Sequence, residues 1–282
     1  MALSTCLSIS NSASAKPKRV EAPVTSPYSY ADIADLAARA PTVAILRVKR
    51  VSPLPQEWVS GQPAGTKRHH IQANVVSLIR GDAPLAKRVT FLIDLPAERR
   101  ATKAIKGKTF IAFGRTAGDK TDRLQLVNSN ALLLQTPATE TKVRGIATEL
   151  LRQDAPPAIV GVGEAFHVAG TVAGEGETQV FLVAEGGQPV SLSIIRRPEM
   201  APKFGVALGE IVDEAAGVPA SDTLLWYRLA CVLPGALPDN AVTKLQPADA
   251  AAARTDYRAL MERLGPCPRT KRAMLGNSPE PG

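Results

Sequence analysis

The carboxylates of Glu175 and Glu177 are spaced as an acid–base pair would be. Alternate residues of a strand lie on one face of a sheet, so the two side chains could meet there. Catalysis by such a pair needs one carboxylate removed from water, because burial raises its pKa. Gly174 and Gly176 flank Glu175, and a glycine-rich turn is normally solvated. The pattern favours an exposed loop, with a catalytic pair as the alternative.

Arg196 and Arg197 place two guanidinium groups at the end of a predicted strand. A guanidinium group binds phosphate or carboxylate through two parallel hydrogen bonds, so this pair is a candidate anion site. The simpler interpretation is that the two residues only end the strand.

A cluster of basic residues is the strongest candidate for ligand binding. Its members are Arg99, Arg100, Lys103, Lys106 and Lys108. Sites for single-stranded nucleic acid combine such charge with aromatic rings on which bases stack. The nearby predicted strands offer only Phe91, Phe110 and Phe113, which suit a hydrophobic core equally well. Nucleic acid is therefore a secondary hypothesis, behind a small anionic ligand or an unknown protein partner.

Signatures of metal, cofactor and catalytic sites are missing from the sequence. His69 and His70 are neighbours and would face opposite sides of a strand, and His167 is distant from both, so surface or edge positions are expected for all three. The chain has no H-E-x-x-H, C-x-x-C, G-x-S-x-G or phosphate-binding loop motif. The sequence predicts no metal and no cofactor, and it favours a non-catalytic protein.

Charge is unevenly distributed along the chain. Residues 29–155 contain 20 Lys and Arg against 11 Asp and Glu, whereas residues 156–264 contain 8 against 13. A basic segment beside an acidic one is consistent with binding of nucleic acid or an anionic membrane. The alternative is that the two halves face each other or are simply solvated.

The cysteines bear on the cellular compartment. Cys6 lies near the N-terminus, and Cys231 and Cys267 flank a predicted final helix. A bridge between the latter two would require an oxidising compartment, such as the periplasm. Two buried free thiols in a cytoplasmic protein are the alternative.

The first 28 residues resemble a leader followed by a linker. Ala13-Ser14-Ala15 has the small-x-small form of a signal-peptidase site, although the preceding stretch lacks a basic start and contains many serines. A signal peptide, a misassigned start and a disordered tail are all compatible with this pattern. The sequence contains no transmembrane segment, because no window holds 18 consecutive apolar residues.

The elements of the first half form a recognisable series. Ser29 and Asp32 predict a capped helix, and Thr136-Pro137 opens a second helix before the proposed boundary at Ala155-Pro156-Pro157. Residues 96–106 are predicted as a polar, basic connection. Between the helices the pattern predicts five strands: Thr42–Val51, His70–Ile79, Val89–Leu95, Thr109–Phe113 and Leu124–Val127.

The second half is predicted to be α+β. Gly186-Gly187 joins two strands into an antiparallel hairpin, and Phe204–Ala207 is expected to pair alongside. Three helices are predicted to follow: Leu208–Ala216, a helix capped by Ser221 or Asp222, and Pro247–Leu264.

The strand order of the first half resembles an OB-fold barrel, and more narrowly the netrin-like barrels of exported bacterial proteins. The whole chain is similar to uncharacterised exported two-domain proteins of alphaproteobacteria, through YSYADIADLA, GEGETQVFL, VSLSIIRRP and LLWYRLAC. This resemblance implies export but no known activity. Metalloproteinase inhibitors that share the barrel act through a cysteine-anchored edge, and this barrel has no cysteine, so inhibition is not inferred.

These observations predict a mainly β chain with a leader and linker over residues 1–28, a five-stranded OB-like barrel domain over residues 29–155, an α+β domain over residues 156–268 and a basic tail over residues 269–282. The expected function is that of an exported, non-catalytic binding or accessory protein. The alternatives are an OB-fold nucleic-acid-binding protein and an enzyme with an unrecognised site in the second domain.

Overall fold

The computed structural model describes residues 25–209 and 217–270. The possible signal-peptidase site and most of the leader lie outside these ranges. Most of the predicted helix Leu208–Ala216 and most of the basic tail also lie outside the described residues.

A closed barrel forms the first half of the chain. The five barrel strands are β1 (Thr42–Pro53), β2 (Thr66–Arg80), β3 (Arg88–Pro96), β4 (Thr109–Ala117) and β5 (Lys120–Leu126). They follow the order β1-β2-β3-β5-β4, and a second pairing of β1 with β4 closes the ring. β3 and β5 are parallel and meet at Thr90 and Arg123, whereas the other pairs are antiparallel. A short strand, β6 (Leu132–Leu134), pairs with β4.

Alternating apolar residues fill the barrel. On β3, Val89, Phe91, Ile93 and Leu95 are buried while the residues between them are not, as expected for a strand with one face toward a core. The helix α1 (Tyr30–Arg39) packs outside the barrel against β4, and both reciprocal hydrogen bonds of its predicted Ser29–Asp32 capping box are present. The helix α3 (Pro137–Leu151) packs against α1 and begins at the predicted Thr136 cap.

The polar, basic connection predicted over residues 96–106 contains a helix that the sequence did not indicate, because Arg99–Ile105 forms α2. Ala101 and Ile105 are buried against the barrel core and close one end of it. No side chain caps the start of α2, and only these two residues mark its buried face. The helix is stabilised by its contact with the barrel, which local sequence does not show.

A four-stranded antiparallel sheet forms the centre of the second half. Its strands are β7 (Ile159–Ala169), β8 (Gly176–Ala184), β9 (Val190–Arg196) and β10 (Lys203–Ala207), in the order β10-β9-β8-β7. The predicted hairpin is confirmed: β8 and β9 are joined by a turn in which Gly186 and Gly187 have φ angles of 77° and 73°. The predicted pairing of Phe204–Ala207 is also confirmed, since β10 lies beside β9.

Two helices follow the sheet, α4 (Leu224–Ala230) and α5 (Pro247–Leu264). The predicted cap of α4 is wrong by one or two residues, because the hydroxyl of Thr223 accepts the hydrogen bond from the Trp226 amide at 3.3 Å. Asp222 instead adopts a φ of 59° in the preceding turn. The fold class predicted from the sequence, mainly β with a five-stranded barrel, an antiparallel hairpin and C-terminal helices, is confirmed.

A single hydrophobic cluster connects the two halves. It runs from Val43 and Ile45 on the outside of β1, through α1 and α3, to the second sheet and the C-terminal helices. The barrel interior is a separate cluster that includes α2. The boundary at Ala155 stays a prediction. Among the described residues, no helix has the length and apolar character needed to cross a membrane.

Candidate functional site

The predicted basic cluster lies on α2 and the turn that follows it. Arg100, Lys103, Lys106 and Lys108 are all exposed, and the side chain of Arg99 lies outside what the structure describes. None of these four forms an ion pair with another described residue. We call the surface made by these four residues the basic end of the barrel.

The loop between β1 and β2 emerges at the same end of the barrel. The amide of Ala97, just before α2, donates a hydrogen bond to the carbonyl of Gly65 at 3.0 Å. Arg68 holds the other side of the loop, because it donates to both oxygens of Asp94 at 2.7 and 2.8 Å and to the Ser60 carbonyl at 3.3 Å. The 3₁₀ turn of this loop ends at Trp58, which is 74% exposed.

The three phenylalanines considered for base stacking are all inside the protein. Phe91, Phe110 and Phe113 are 4%, 1% and 0% exposed. The first two fill the barrel interior, and Phe113 lies in the cluster shared by the two halves. None of them can stack on a nucleic-acid base, which counts against the nucleic-acid hypothesis.

A buried polar network that the sequence did not predict joins α5 to the second sheet. The carboxylate of Asp256 is 1% exposed, and Arg196 at the end of β9 donates from Nε to its Oδ1. The hydroxyl of Thr178 on β8 donates to Asp256 Oδ2 at 2.5 Å. His167 on β7 lies opposite Thr178, with 2.8 Å between its Nδ1 and the Thr178 oxygen. Because the Thr178 proton points to Asp256, His167 Nδ1 must be the donor in this contact.

Arg196 belongs to this network through its Nε, and its side chain is 33% exposed. The sequence raised the possibility that this residue binds a carboxylate or phosphate ligand, and that stays a prediction. Arg197 is not part of the network and lies beside Met200 and Lys203 in a shallow depression.

His167 was expected at a surface or edge position, and it does lie on β7, an edge strand of the second sheet. Its side chain is only 8% exposed, however, so it is not an ordinary surface residue. His69 is buried too, and its Nδ1 lies 2.8 Å from the Lys67 carbonyl, whereas His70 is partly exposed on the opposite face of β2.

Asp256 could have been noticed in the sequence. It lies among Ala253, Tyr257, Leu260 and Leu264, which form the buried face of α5. A lone carboxylate on such a face needs a hydrogen-bonding partner. Its partners are 60 and 78 residues away along the chain, so the sequence does not show which residues they are.

Glu175 and Glu177 do not form a buried pair. Both are exposed, Glu175 in the turn before β8 and Glu177 on the outward face of that strand. The backbone of Glu175 closes the turn, since its carbonyl accepts from the Gly170 amide at 2.9 Å. Both side chains are exposed, as in the solvated loop that the sequence favoured, but Glu177 lies on a strand and not in a loop.

The cysteines are bridged. Cys231 and Cys267 form a disulfide with a Cα–Cα distance of 5.1 Å, which ties the end of α4 to the segment after α5. This pairing was one of the two alternatives considered from the sequence.

Polar contacts near the disulfide tie the C-terminal segment to α1. Tyr227 donates to Asp35 at 2.6 Å, and Arg269 donates to the other oxygen of Asp35 at 2.8 Å. Burial alone would raise the pKa of Asp35, but the hydrogen bonds from Arg269 and Tyr227 outweigh it and hold the pKa below its ordinary value. Asp35 is therefore a charged link between α1 and the C-terminal segment.

Two comparisons with known proteins give no guide to the chemistry. No protein-family model matches the chain. No curated protein matches it either. Within residues 25–209 and 217–270, no group of three or more His, Cys, Asp or Glu side chains is placed to hold a metal ion. The described site thus consists of exposed cations at one end of the barrel and a buried network that stabilises the second half.

Proposed function

We propose that this protein is an exported, non-catalytic binding or accessory protein, and that it takes an anionic ligand at the basic end of its barrel. The barrel is closed by five strands and carries a helix between the third and fourth, which supports an OB-like assignment. OB-like barrels commonly serve as binding modules.

The proposal rests on the contrast between Arg196, which is ion-paired, and the four cations of the basic end, which are not paired within the part of the chain that the structure describes. The Nε of Arg196 is ion-paired with the buried carboxylate of Asp256. Arg100, Lys103, Lys106 and Lys108 are exposed and make no ion pair with any residue in the described ranges. Such a patch raises the local concentration of anions, which favours an anionic partner.

The disulfide supports export. Bridges such as Cys231–Cys267 persist in oxidising compartments and are rare in the cytoplasm. An exported protein with a preceding leader also agrees with the Ala13-Ser14-Ala15 pattern of the sequence.

A non-catalytic role is supported by the state of the buried polar groups. Both oxygens of Asp256 accept hydrogen bonds from Arg196 and Thr178, and His167 donates to Thr178. These bonds hold α5 on the sheet, and Glu175 and Glu177 are solvated. The second domain therefore gives the enzyme hypothesis no specific support.

Binding to dextran sulfate, a soluble polyanion, tests the proposal. We expect binding at low salt that weakens as salt is added, because added ions screen exposed charges. The double variant Lys103→Ala/Lys106→Ala should bind roughly tenfold more weakly, since each exposed charge pair contributes up to about 1 kcal/mol.

The matched control is Lys87→Ala/Lys120→Ala. These two lysines are also exposed, but they lie where β3 and β5 begin, at the opposite end of the barrel. Near-wild-type binding by the control, together with weak binding by the first variant, supports the proposal. Equal weakening of both variants, or no binding by the wild type, would refute it.

A further inference from the structure

Trp58 places an aromatic ring at the basic end of the barrel. We propose that this end docks on the surface of an anionic phospholipid bilayer, with Trp58 entering the headgroup region and the lysines and arginine contacting lipid phosphates. The inference rests on the proposed function, because it names the source of the anionic groups.

The loop that carries Trp58 is held beside the start of α2. Thr66, where the loop carrying Trp58 ends, faces Pro96, two residues before the cap of α2. The Ala97–Gly65 hydrogen bond fixes the loop to the start of that helix. After α2, the amide of Gly107 donates to the Val48 carbonyl at 3.0 Å, so the turn with Lys106 and Lys108 lies beside the middle of β1, where the pairing of β1 with β4 ends. The aromatic ring and the cations thus belong to one end of one barrel.

This end of the barrel carries a net positive charge. Residues 49–68 and 94–108, which build this end, contain nine Lys and Arg against three Asp and Glu. One of the three acids, Asp94, is already paired with Arg68. The net positive charge suits a surface of phosphate groups, because each basic side chain near an anionic bilayer contributes about 1 kcal/mol of attraction.

The Trp58 side chain is exposed to solvent. Trp58 is the most exposed large hydrophobic residue in the described part of the chain. Tryptophan prefers the interface between lipid and water, where its ring is partly buried and its N–H stays hydrated. Basic residues combined with an interfacial aromatic ring are typical of proteins that bind a bilayer from one side.

A single-stranded nucleic acid fits this surface less well. Such ligands stack successive bases on several rings, and the other barrel aromatics are buried. A bilayer needs only one inserted ring beside a charged surface. The location also favours lipid, because an exported protein meets membrane surfaces.

The basic end lies outside the apolar core shared by the two halves. The residues of α2 contribute to the barrel's own core, and none of them belongs to the hydrophobic cluster that joins the two halves. The contacts of the barrel with α1 involve Val43, Ile45 and other residues near the start of β1, whereas the turn of the basic end lies beside the middle of β1. Docking would therefore not require the halves to separate.

Co-sedimentation with vesicles tests the proposal. We expect the full-length protein to sediment with phosphatidylglycerol-containing vesicles at low salt. With pure phosphatidylcholine vesicles, it should remain in the supernatant. The emission of Trp58 should shift to shorter wavelength on binding, because Trp226 is 2% exposed and is already shielded from water. Lys103→Ala/Lys106→Ala should lower the partition coefficient roughly 30-fold, and Lys87→Ala/Lys120→Ala should change it much less.

Trp58→Ala separates this inference from the proposed function. It should lower vesicle binding about tenfold or more, since it removes the ring that would enter the lipid, and leave dextran sulfate binding unchanged. Binding to dextran sulfate without binding to anionic vesicles would overturn the membrane inference and leave the proposed function standing. Tight binding of oligothymidine that depends on Trp58, with no vesicle binding, would assign the surface to nucleic acid and also overturn it.

Discussion

At the scale of single residues, the carboxylate of Asp256 joins the final helix to two strands of the second sheet. Its two oxygens accept from Arg196 and Thr178, and His167 extends the network to a third strand. A buried carboxylate is stable only when its hydrogen-bonding capacity is satisfied. Asp256 is therefore a stability residue whose loss should be costly.

The variant Asp256→Ala tests this role. We expect its free energy of unfolding to fall by about 2–4 kcal/mol, because Thr178 loses its buried partner and Arg196 loses a charge-assisted hydrogen bond. Urea unfolding at neutral pH measures the change. Glu262→Ala, an exposed carboxylate on the same helix, is the control and should change stability by less than about 0.5 kcal/mol. Equal effects of the two substitutions would contradict the assignment.

Asp35 gives the protein a specific dependence on acid. Its pKa in the folded chain is held below the ordinary value, so the folded state binds fewer protons than the unfolded state as both titrate. The stabilisation that Asp35 gives the folded state is complete above the pKa of Asp35 in the unfolded chain, about pH 4. It is lost as the pH falls through the lower pKa of Asp35 in the folded chain. Urea unfolding between neutral and acidic pH should show a smaller acid-induced loss in Asp35→Asn than in the wild type. Parallel pH profiles would contradict this role.

At the scale of elements, local signals and tertiary packing account for different parts of the fold. The capping box of α1 and the glycine turn between β8 and β9 involve residues close in sequence, and both were predictable. The helix α2 was not, because only its contact with the barrel stabilises it. The three-residue strand β6 is too short to carry a pattern. The parallel meeting of β3 and β5 depends on closure of the whole barrel.

The basic end likewise combines a feature set by local sequence with one set by tertiary packing. Its residues were predictable as a cluster because they are close in sequence. Their place beside Trp58 was not, since the loop and α2 are brought together by the pairing of β2 with β3.

The disulfide constrains the elements at the C-terminus. It closes a loop with a sequence separation of 36 residues that includes α5. In the chain-entropy description, such a bridge stabilises the folded state by about 4 kcal/mol. We expect Cys231→Ser/Cys267→Ser to lower the free energy of unfolding by about that amount, measured by urea unfolding under non-reducing conditions. Addition of reductant should destabilise the wild type but not the variant; an equal response of both would be inconsistent with the bridge.

At the scale of the whole molecule, a shared apolar core and long-range polar contacts join the two halves. Tyr30 donates to Glu149 at 2.7 Å, and the amide of Leu224 donates to the same Glu149 oxygen at 3.0 Å. These contacts lie on the side of the barrel that packs against the rest of the chain. The turn of the basic end lies beside the middle of β1, away from these contacts. The molecule thus combines a stabilised body with a basic barrel end that lies outside the shared core.

We infer that this protein works outside the cytoplasm, with its Cys231–Cys267 bridge formed. Intact mass measured on the protein purified from its own cells, after alkylation under denaturing, non-reducing conditions, tests both parts together. We predict a mature chain that begins after Ala15 and carries no alkyl group, because Cys6 is removed and the other two cysteines are bridged. A mass that corresponds to an uncleaved chain with alkylated Cys231 and Cys267 would contradict the account.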